Sequence, residues 1–569
     1  MRKGKKLLSL SLALAMVLMT GCGGGNDEKN VSSDEQGSAP AASTEAKADE
    51  EQFINGWVGA DPQSLDPQKG SDVYGNGVVV NTFEPLLRLK EKGDATEIVN
   101  AAAEDYKVSD DGLVYTFTLR DGLKWDDGKD LTAKDYEYGI KRAADPNTGA
   151  ESAFLLTPIK NFDKVNNPET KTPLDELGVK ALDDKTLEIT LEQPTEYFIR
   201  LVPFRVMCPQ REDIIEKYGD KYGSEAEGFV GCGPYKLTEW THNSQITLEK
   251  SDTYWNKDNV KNDKVTLKVL GDMTTRMNAF QAKEVDRIST NKEEWNSVFD
   301  KDDTIESKKV SRPDLDYMIL NHEDKLLKNQ KIRVALNLAF DRQKFNDTFF
   351  KGKNTNADFW VPPSIDLYGK NFREAAGNPL ETLKENTDKD PKELFIEGMK
   401  ELDLGDDPSK VTINFICVSE PEVKKYGEFI QQLYKTEIGV NVELEVMEWP
   451  ILSGRVNKGD FQMGYLAWTA DYNDPSAMLT LFLSNANSVN TGWKSEEYDK
   501  LVNDAIKEKD ADKALDLYKQ AEQMLFDETV IIPVTSAETT NYWQNFLKGV
   551  QNNQFDTMGY QGQYTSGRP

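Results

Sequence analysis

The 569-residue sequence predicts an α/β protein of two or three domains, with a mostly parallel sheet in its second half and a β-rich segment in its first. Three observations predict it. Between residues 412 and 468, apolar runs of strand length alternate with helical periods, a β-α-β-α-β order that implies parallel strands. Before residue 200, short runs alternate apolar and polar side chains around Asp-Gly and Asp-Asp turns. About 520 residues follow the N-terminal region, too many for one hydrophobic core.

The chain opens with Arg2, Lys3, Lys5 and Lys6, runs through about 13 mostly apolar residues at 7–19, and reaches Thr20-Gly21-Cys22. So short an apolar stretch falls below the roughly 20 residues of a membrane-crossing helix and reads as a secretory signal. The small residues before Cys22 predict a lipoprotein signal, residues 1–21, whose cleavage leaves Cys22 to be acylated. An ordinary secretory signal with a chance cysteine is the alternative. Residues 22–52 are small, polar or charged and cannot bury enough surface to fold. They form a tether reaching on the order of 30 Å. Removing residues 1–21 takes away four basic groups and no acid, so the net charge moves from −29 to −33. Nucleic acid is therefore excluded as a partner.

The body starts with a strand at 53–58, the turn-rich Asp61-Pro62-Gln63-Ser64-Leu65-Asp66-Pro67, and a helix from Val73 that is expected to carry through Leu87. Residues 114–119 alternate with a period of two, as a half-buried strand does. A tight turn at Asp127-Gly128 precedes a helix start, where Thr132 and Asp135 have the spacing of an N-terminal cap. Asp126, Asp127 and Asp130 lack the alternating ligand spacing of a calcium loop, so no metal is assigned to them. Residues 178–191 read as two strands, followed by Gly231-Cys232-Gly233-Pro234-Tyr235 and then Tyr254-Trp255, the last two read as core.

In the second half a buried strand at 412–418, a helix at 422–437, a strand at 440–446, a short helix and a strand at 461–468 follow in order. Helices at 496–507 and 510–527 precede a strand at 530–534. Ligands of parallel sheets meet the carboxyl ends of strands. Asp471 lies just past one such end, in the run Trp468-Thr469-Ala470-Asp471-Tyr472-Asn473-Asp474-Pro475. Spacing alone leaves two readings for it, a ligand-binding carboxylate or an Asx-turn before Asp474-Pro475. No catalytic residue is assigned: His242 and His322, the only histidines, sit in no nucleophile or zinc motif. A carboxylate hydrolase would need two acids about 5–10 Å apart in a cleft.

That run, with Trp449 upstream, the Ser64-Leu65-Asp66-Pro67 turn and the paired Gly231-to-Tyr235 and Tyr254-Trp255 segments, resembles the bacterial oligopeptide-binding proteins, extracytoplasmic receptors of peptide importers. The resemblance covers residues 53–565 and implies a type II periplasmic-binding-protein-like fold of two lobes and a hinge, plus an additional β-rich domain. It implies a discontinuous first lobe (53–89, 206–316 and 535–569), an inserted β-rich domain (90–205) and a second lobe (317–534). It implies an oligopeptide ligand, ABC permease partners, a monomer held by lipid on Cys22 at the outer face of the cell membrane, and no cofactor. Cys208 and Cys232 come into one lobe, which makes a disulfide between them possible; three buried free thiols, with Cys417, are the alternative.

Within the resemblance, Asp471 takes the α-ammonium of a bound peptide, Trp468 and Trp449 wall the side-chain pockets, Tyr472 and Asn473 complete the turn, and Val73 offers backbone contacts. An acidic family residue near Val73 is replaced by Ser71, with Asp72 beside it. Where the family carries basic residues for peptide carboxylates, Val456, Asn457 and Tyr465 stand here, with Arg455 adjacent. The same fold serves receptors for oligosaccharides and nickel complexes. A neutral sugar offers no ammonium to Asp471, so the retained run favours peptide; import and peptide sensing would share the same binding step.

Overall fold

The strand Phe53–Val58 alternates half-buried and buried side chains because one of its faces lies on an apolar core. The structure is a computed structural model describing residues 47–569 except 71, 93, 94, 487, 488, 553, 554 and 556–558, so Cys22, the signal, most of the tether and Ser71 lie outside the described residues. Phe53–Val58 is the edge of a four-stranded sheet that continues through Lys264–Val269, Gln245–Lys250 and Tyr235–Thr241. Its first pair is parallel, with Phe53 opposite Lys264, and the others are antiparallel.

The helix Val73–Thr82 begins at Asp72, whose Oδ1 accepts the Gly75 N–H at 2.7 Å. It does not continue through Leu87 as the sequence suggests. Phe83 is already extended, Pro85 disfavours a helical residue 84, and Leu87 opens the hairpin Leu87–Lys92 with Ala95–Asn100. At the re-entry Gly231-Cys232-Gly233, the N–H groups of Cys232 and Gly233 both donate to the Thr82 carbonyl at 2.9 Å. A Cβ on Gly231 would lie 2.2 Å from that oxygen, and one on Gly233 would lie 2.6 Å from its carbon. Tyr254 and Trp255 close this junction by donating to the buried Glu84 at 3.2 and 2.7 Å.

The strands Ala103–Val108, Val114–Leu119, Thr186–Thr190 and Val179–Ala181 make a second, antiparallel sheet. Ala133–Ala144 packs on it, and its predicted cap is present: the Asp135 carboxylate accepts from the Thr132 backbone N–H at 2.7 Å and from its hydroxyl at 2.9 Å. The three nearby acids diverge, Asp126 to Ser251, Asp127 to Arg211 and Asp130 to Lys124. Among the described residues, no group of acids, cysteines or histidines is placed to hold a metal ion.

The largest sheet runs Thr355–Asn356, Ile531–Ser536, Asp314–Leu320, Met463–Thr469, Thr412–Val418, Asn441–Met447. The last three strands are parallel to one another, as their β-α-β-α-β order predicts. The sheet as a whole is mixed, which corrects the expectation of a mostly parallel one. Asp314–Leu320 enters from far upstream and pairs antiparallel with both Met463–Thr469 and Ile531–Ser536. A further, three-stranded sheet, Arg287–Thr290, Glu538–Gln544 and Ile305–Ser311, joins residues near 540 to the middle of the chain.

Among the described residues, buried apolar side chains fall into three clusters. One runs continuously from Phe117, Trp125 and Tyr136 to Tyr317, Phe345 and Tyr498, so segment 90–205 shares a core with the large sheet. A separate one, with Ile54, Tyr235, Ile246 and Val265, belongs to the four-stranded sheet. Cys208, Cys232 and Cys417 are buried free thiols, so the possible Cys208–Cys232 disulfide is not formed. Cys232 Sγ accepts the Glu84 N–H at 3.4 Å, and burial pushes the Cys208 thiol up to about 12.

Candidate ligand-binding site

Three parallel strands present their carboxyl ends at one edge of the large sheet. Val418 pairs with Met447, and Ile416 pairs with Gly464. Trp449 and Trp468 therefore reach the same edge from the two strands that flank Thr412–Val418. Trp449 is the first residue of the helix Trp449–Asn457 and is 57% exposed, which a core tryptophan would not be. Trp468 is half-buried opposite Leu315, and its indole Nε1 is buried with no hydrogen-bond partner. Val73, at the first turn of its helix, is 74% exposed.

Asp471 follows the strand by two residues and is half-buried. Its carboxylate makes no hydrogen bond or ion pair with any described residue. Burial alone pushes it up to about 6. A carboxylate stripped of water without a partner is costly, and an incoming cation would remove that cost.

Its neighbours do something else. Tyr472 is buried, with its ring stacked on Tyr197 at 4.9 Å and its hydroxyl bonded to Ser476. Asn473 donates to Asp366 at 3.0 Å and Thr96 at 3.3 Å, and accepts the Asp366 N–H at 2.7 Å. Asp474, which sequence reasoning did not single out, is buried and ion-paired with Arg200. It also accepts the Ser476 N–H at 3.0 Å, making the Asx-turn that spacing allowed for Asp471. The turn is therefore built by Asp474, and Asp471 is left free. Tyr472 and Asn473 lie in the same loop, and their polar groups are spent on protein partners.

Tyr465 stands apart from this group. It is buried against Phe345 and Tyr426, and its hydroxyl donates to Asp316 at 2.8 Å. Burial pushes the Asp316 carboxyl up to about 7. With its hydroxyl committed to an acid, Tyr465 offers nothing to a ligand carboxylate. Arg455 points away, paired with Glu445 at 2.7 Å and Asp460 at 3.2 Å. His242 bridges Asp61 and Glu225 at the surface, and burial holds His322 down at about 3 beside the Val530 carbonyl.

Two cavities lie on the way from the first helix to the Asp471 loop. A space of about 570 Å³ lies among Val80, Pro85, Leu89, Arg88, Trp255 and Gln561. A pocket of about 40 Å³ lies beside Tyr472 and Asn473, walled by Thr96 and Arg200. The exposed Val73 and Trp449 instead suit a ligand surface that is open before an occupant covers it.

The chain matches "Bacterial extracellular solute-binding proteins, family 5 Middle" over residues 97–490. It is 33% identical to the oligopeptide-binding protein OppA of Bacillus subtilis over 97% of each chain. Identity to the dipeptide-binding protein DppE of the same organism is 35%, again over 97% of each. The structure of Listeria monocytogenes OppA bound to peptide superposes with a TM-score of 0.72 at 30% identity, covering 91% of this chain and 99% of that one.

Proposed function

Because the chain belongs to family 5 of the bacterial extracellular solute-binding proteins, we propose that it captures oligopeptides in a cleft between two lobes and delivers them to the permease of an ABC importer. It has the α/β, two-lobed, type II periplasmic-binding-protein-like fold of these relatives. The observation that carries the proposal is Asp471, an unpaired, half-buried carboxylate two residues past the end of the strand that carries Trp468.

A peptide entering the cleft sheds water from its ammonium, carboxylate and amides, and each must be paired again. Asp471 takes the ammonium. Main-chain groups near Val73 and the strand end match the peptide backbone as an added strand would, independently of its side chains. Trp449 and Trp468 supply apolar walls. Tyr465 plays no part in carboxylate capture, so the far end of the peptide is held less specifically than its start. The first lobe (53–89, 206–316, 535–569) and the second (317–534) close over the ligand by hinge motion. Acylation of Cys22 anchors the receptor outside the cell membrane, and residues 22–52 tether it. The protein acts as a monomer and performs no chemistry on its ligand.

Mass spectrometry of small molecules released from the purified protein tests this. Short peptides with free N-termini are expected; hexose oligomers or metal chelates as the bound species would overturn it.

A further inference from the structure

We infer that Arg200 is a positioning residue for ligand capture, holding the Asp471 loop in its binding geometry; the inference rests on the reading of Asp471 as the ammonium anchor. The loop is pinned at both ends. At one end the Ala470 N–H donates to the Pro313 carbonyl at 2.7 Å, and Thr469 pairs with Asp314. At the other, Asp474 uses both its oxygens. Oδ1 accepts the Ser476 N–H, the Ser476 hydroxyl at 2.6 Å and the Tyr518 hydroxyl at 3.3 Å. Oδ2 takes the Arg200 guanidinium. The pair is sheltered, with side-chain exposures of 19% for Arg200 and 5% for Asp474.

Arg200 comes from segment 90–205, and two more groups of that segment grip the loop beside Pro313, Asp366 and Tyr518 of later segments. Tyr197 stacks on Tyr472 at an interplanar angle of 14°, and the Thr96 hydroxyl bonds Asn473. Glu196 adds a main-chain bond to Ile506 at 3.2 Å. Three consecutive residues, 472 to 474, are thus each tied to the segment before residue 205, while the residue ahead of them keeps its carboxylate free. The inserted segment acts as a clamp on the ligand loop. Such fixing removes an ordering cost from binding, and it does so for the interaction Asp471 makes, not for contacts elsewhere on the peptide.

The test uses Arg200→Gln, Arg200→Lys and Tyr197→Leu, with titration calorimetry of Ala-Phe-Leu-Ala and its N-acetyl form. For wild type the free form should bind more tightly. Arg200→Gln should cut that free-to-acetyl ratio about tenfold, the equivalent of about 1.4 kcal/mol, while affinity for the acetyl form changes less than about twofold. Arg200→Lys should restore part of the ratio, and Tyr197→Leu should lower it without removing a charge, which covers the case in which the Arg200 variants do not fold. A ratio unchanged in folded Arg200→Gln overturns the positioning role. If wild type itself does not distinguish the two forms, the Asp471 reading fails separately. Arg200 is then judged on hydrogen exchange of the Asp474, Ser476 and Ala477 amides without ligand: faster exchange in the variants supports the clamp, and unchanged exchange overturns it.

Discussion

Replacing Asp471 by Asn should stabilise the empty protein at neutral pH while weakening its hold on peptide. The carboxyl titrates near 6 because burial disfavours its charged form, against about 3.9 in an unfolded chain. Between those values the folded state binds the proton more tightly, so stability is fullest below about pH 4 and is lost as pH rises through about 6. A gap of about two pH units corresponds to roughly 3 kcal/mol; partial exposure of the side chain reduces this to about 1–3 kcal/mol. The amide of the variant has no charge to bury. In urea titrations the Asp471→Asn protein should therefore exceed wild type by that amount at pH 7.5, and the two curves should converge below about pH 4. An equal or lower midpoint for the variant at pH 7.5 would refute the reasoning, because it would mean that Asp471 already has a cationic partner in the empty protein.

Other perturbations probe the scaffold that presents the site. Gly233→Ala would drive a Cβ to 2.6 Å from the Thr82 carbonyl carbon and 2.7 Å from the Phe83 nitrogen, so it should cost about 1–3 kcal/mol or more in chemical denaturation. The buried Asp66 receives both arms of the half-buried Arg142 guanidinium at 2.8 and 2.6 Å; Asp66→Ala leaves that charge without its carboxylate and should cost about 3 kcal/mol. Cys208, Cys232 and Cys417 should resist a thiol reagent in the folded protein and all react after unfolding without reductant, as counted by mass spectrometry of the mature chain.

Local pattern carried the elements well and their partners poorly. The alternation at 412–469 was readable because strand and helix periods are properties of neighbouring residues, and the observed Thr412–Val418, Pro421–Glu437 and Asn441–Met447 lie within a residue or so of the expected bounds. The mixed character of that sheet was not readable. The strand Asp314–Leu320 pairs with residues about 150 positions later, and nothing in either run marks the match. The site shows the same limit at finer scale. Asp471 and Asp474 are three residues apart in one motif, and spacing lets either make the Asx-turn. What separates them is Arg200, 274 positions away, which claims Asp474. Tyr465 likewise reads as a vacant ligand position until Asp316 is folded against it. At the first helix local pattern misleads: the apolar run continues to Leu87, while Pro85 holds the chain extended past Thr82.

The ammonium role of Asp471 is tested most directly by comparing a bound peptide with its N-acetylated form in wild type and in Asp471→Asn. Acetylation should cost wild type about 2–5 kcal/mol of binding, and should cost the Asn variant little, because its partner for the ammonium is already gone. Equal affinity of wild type for the two peptides would contradict the account.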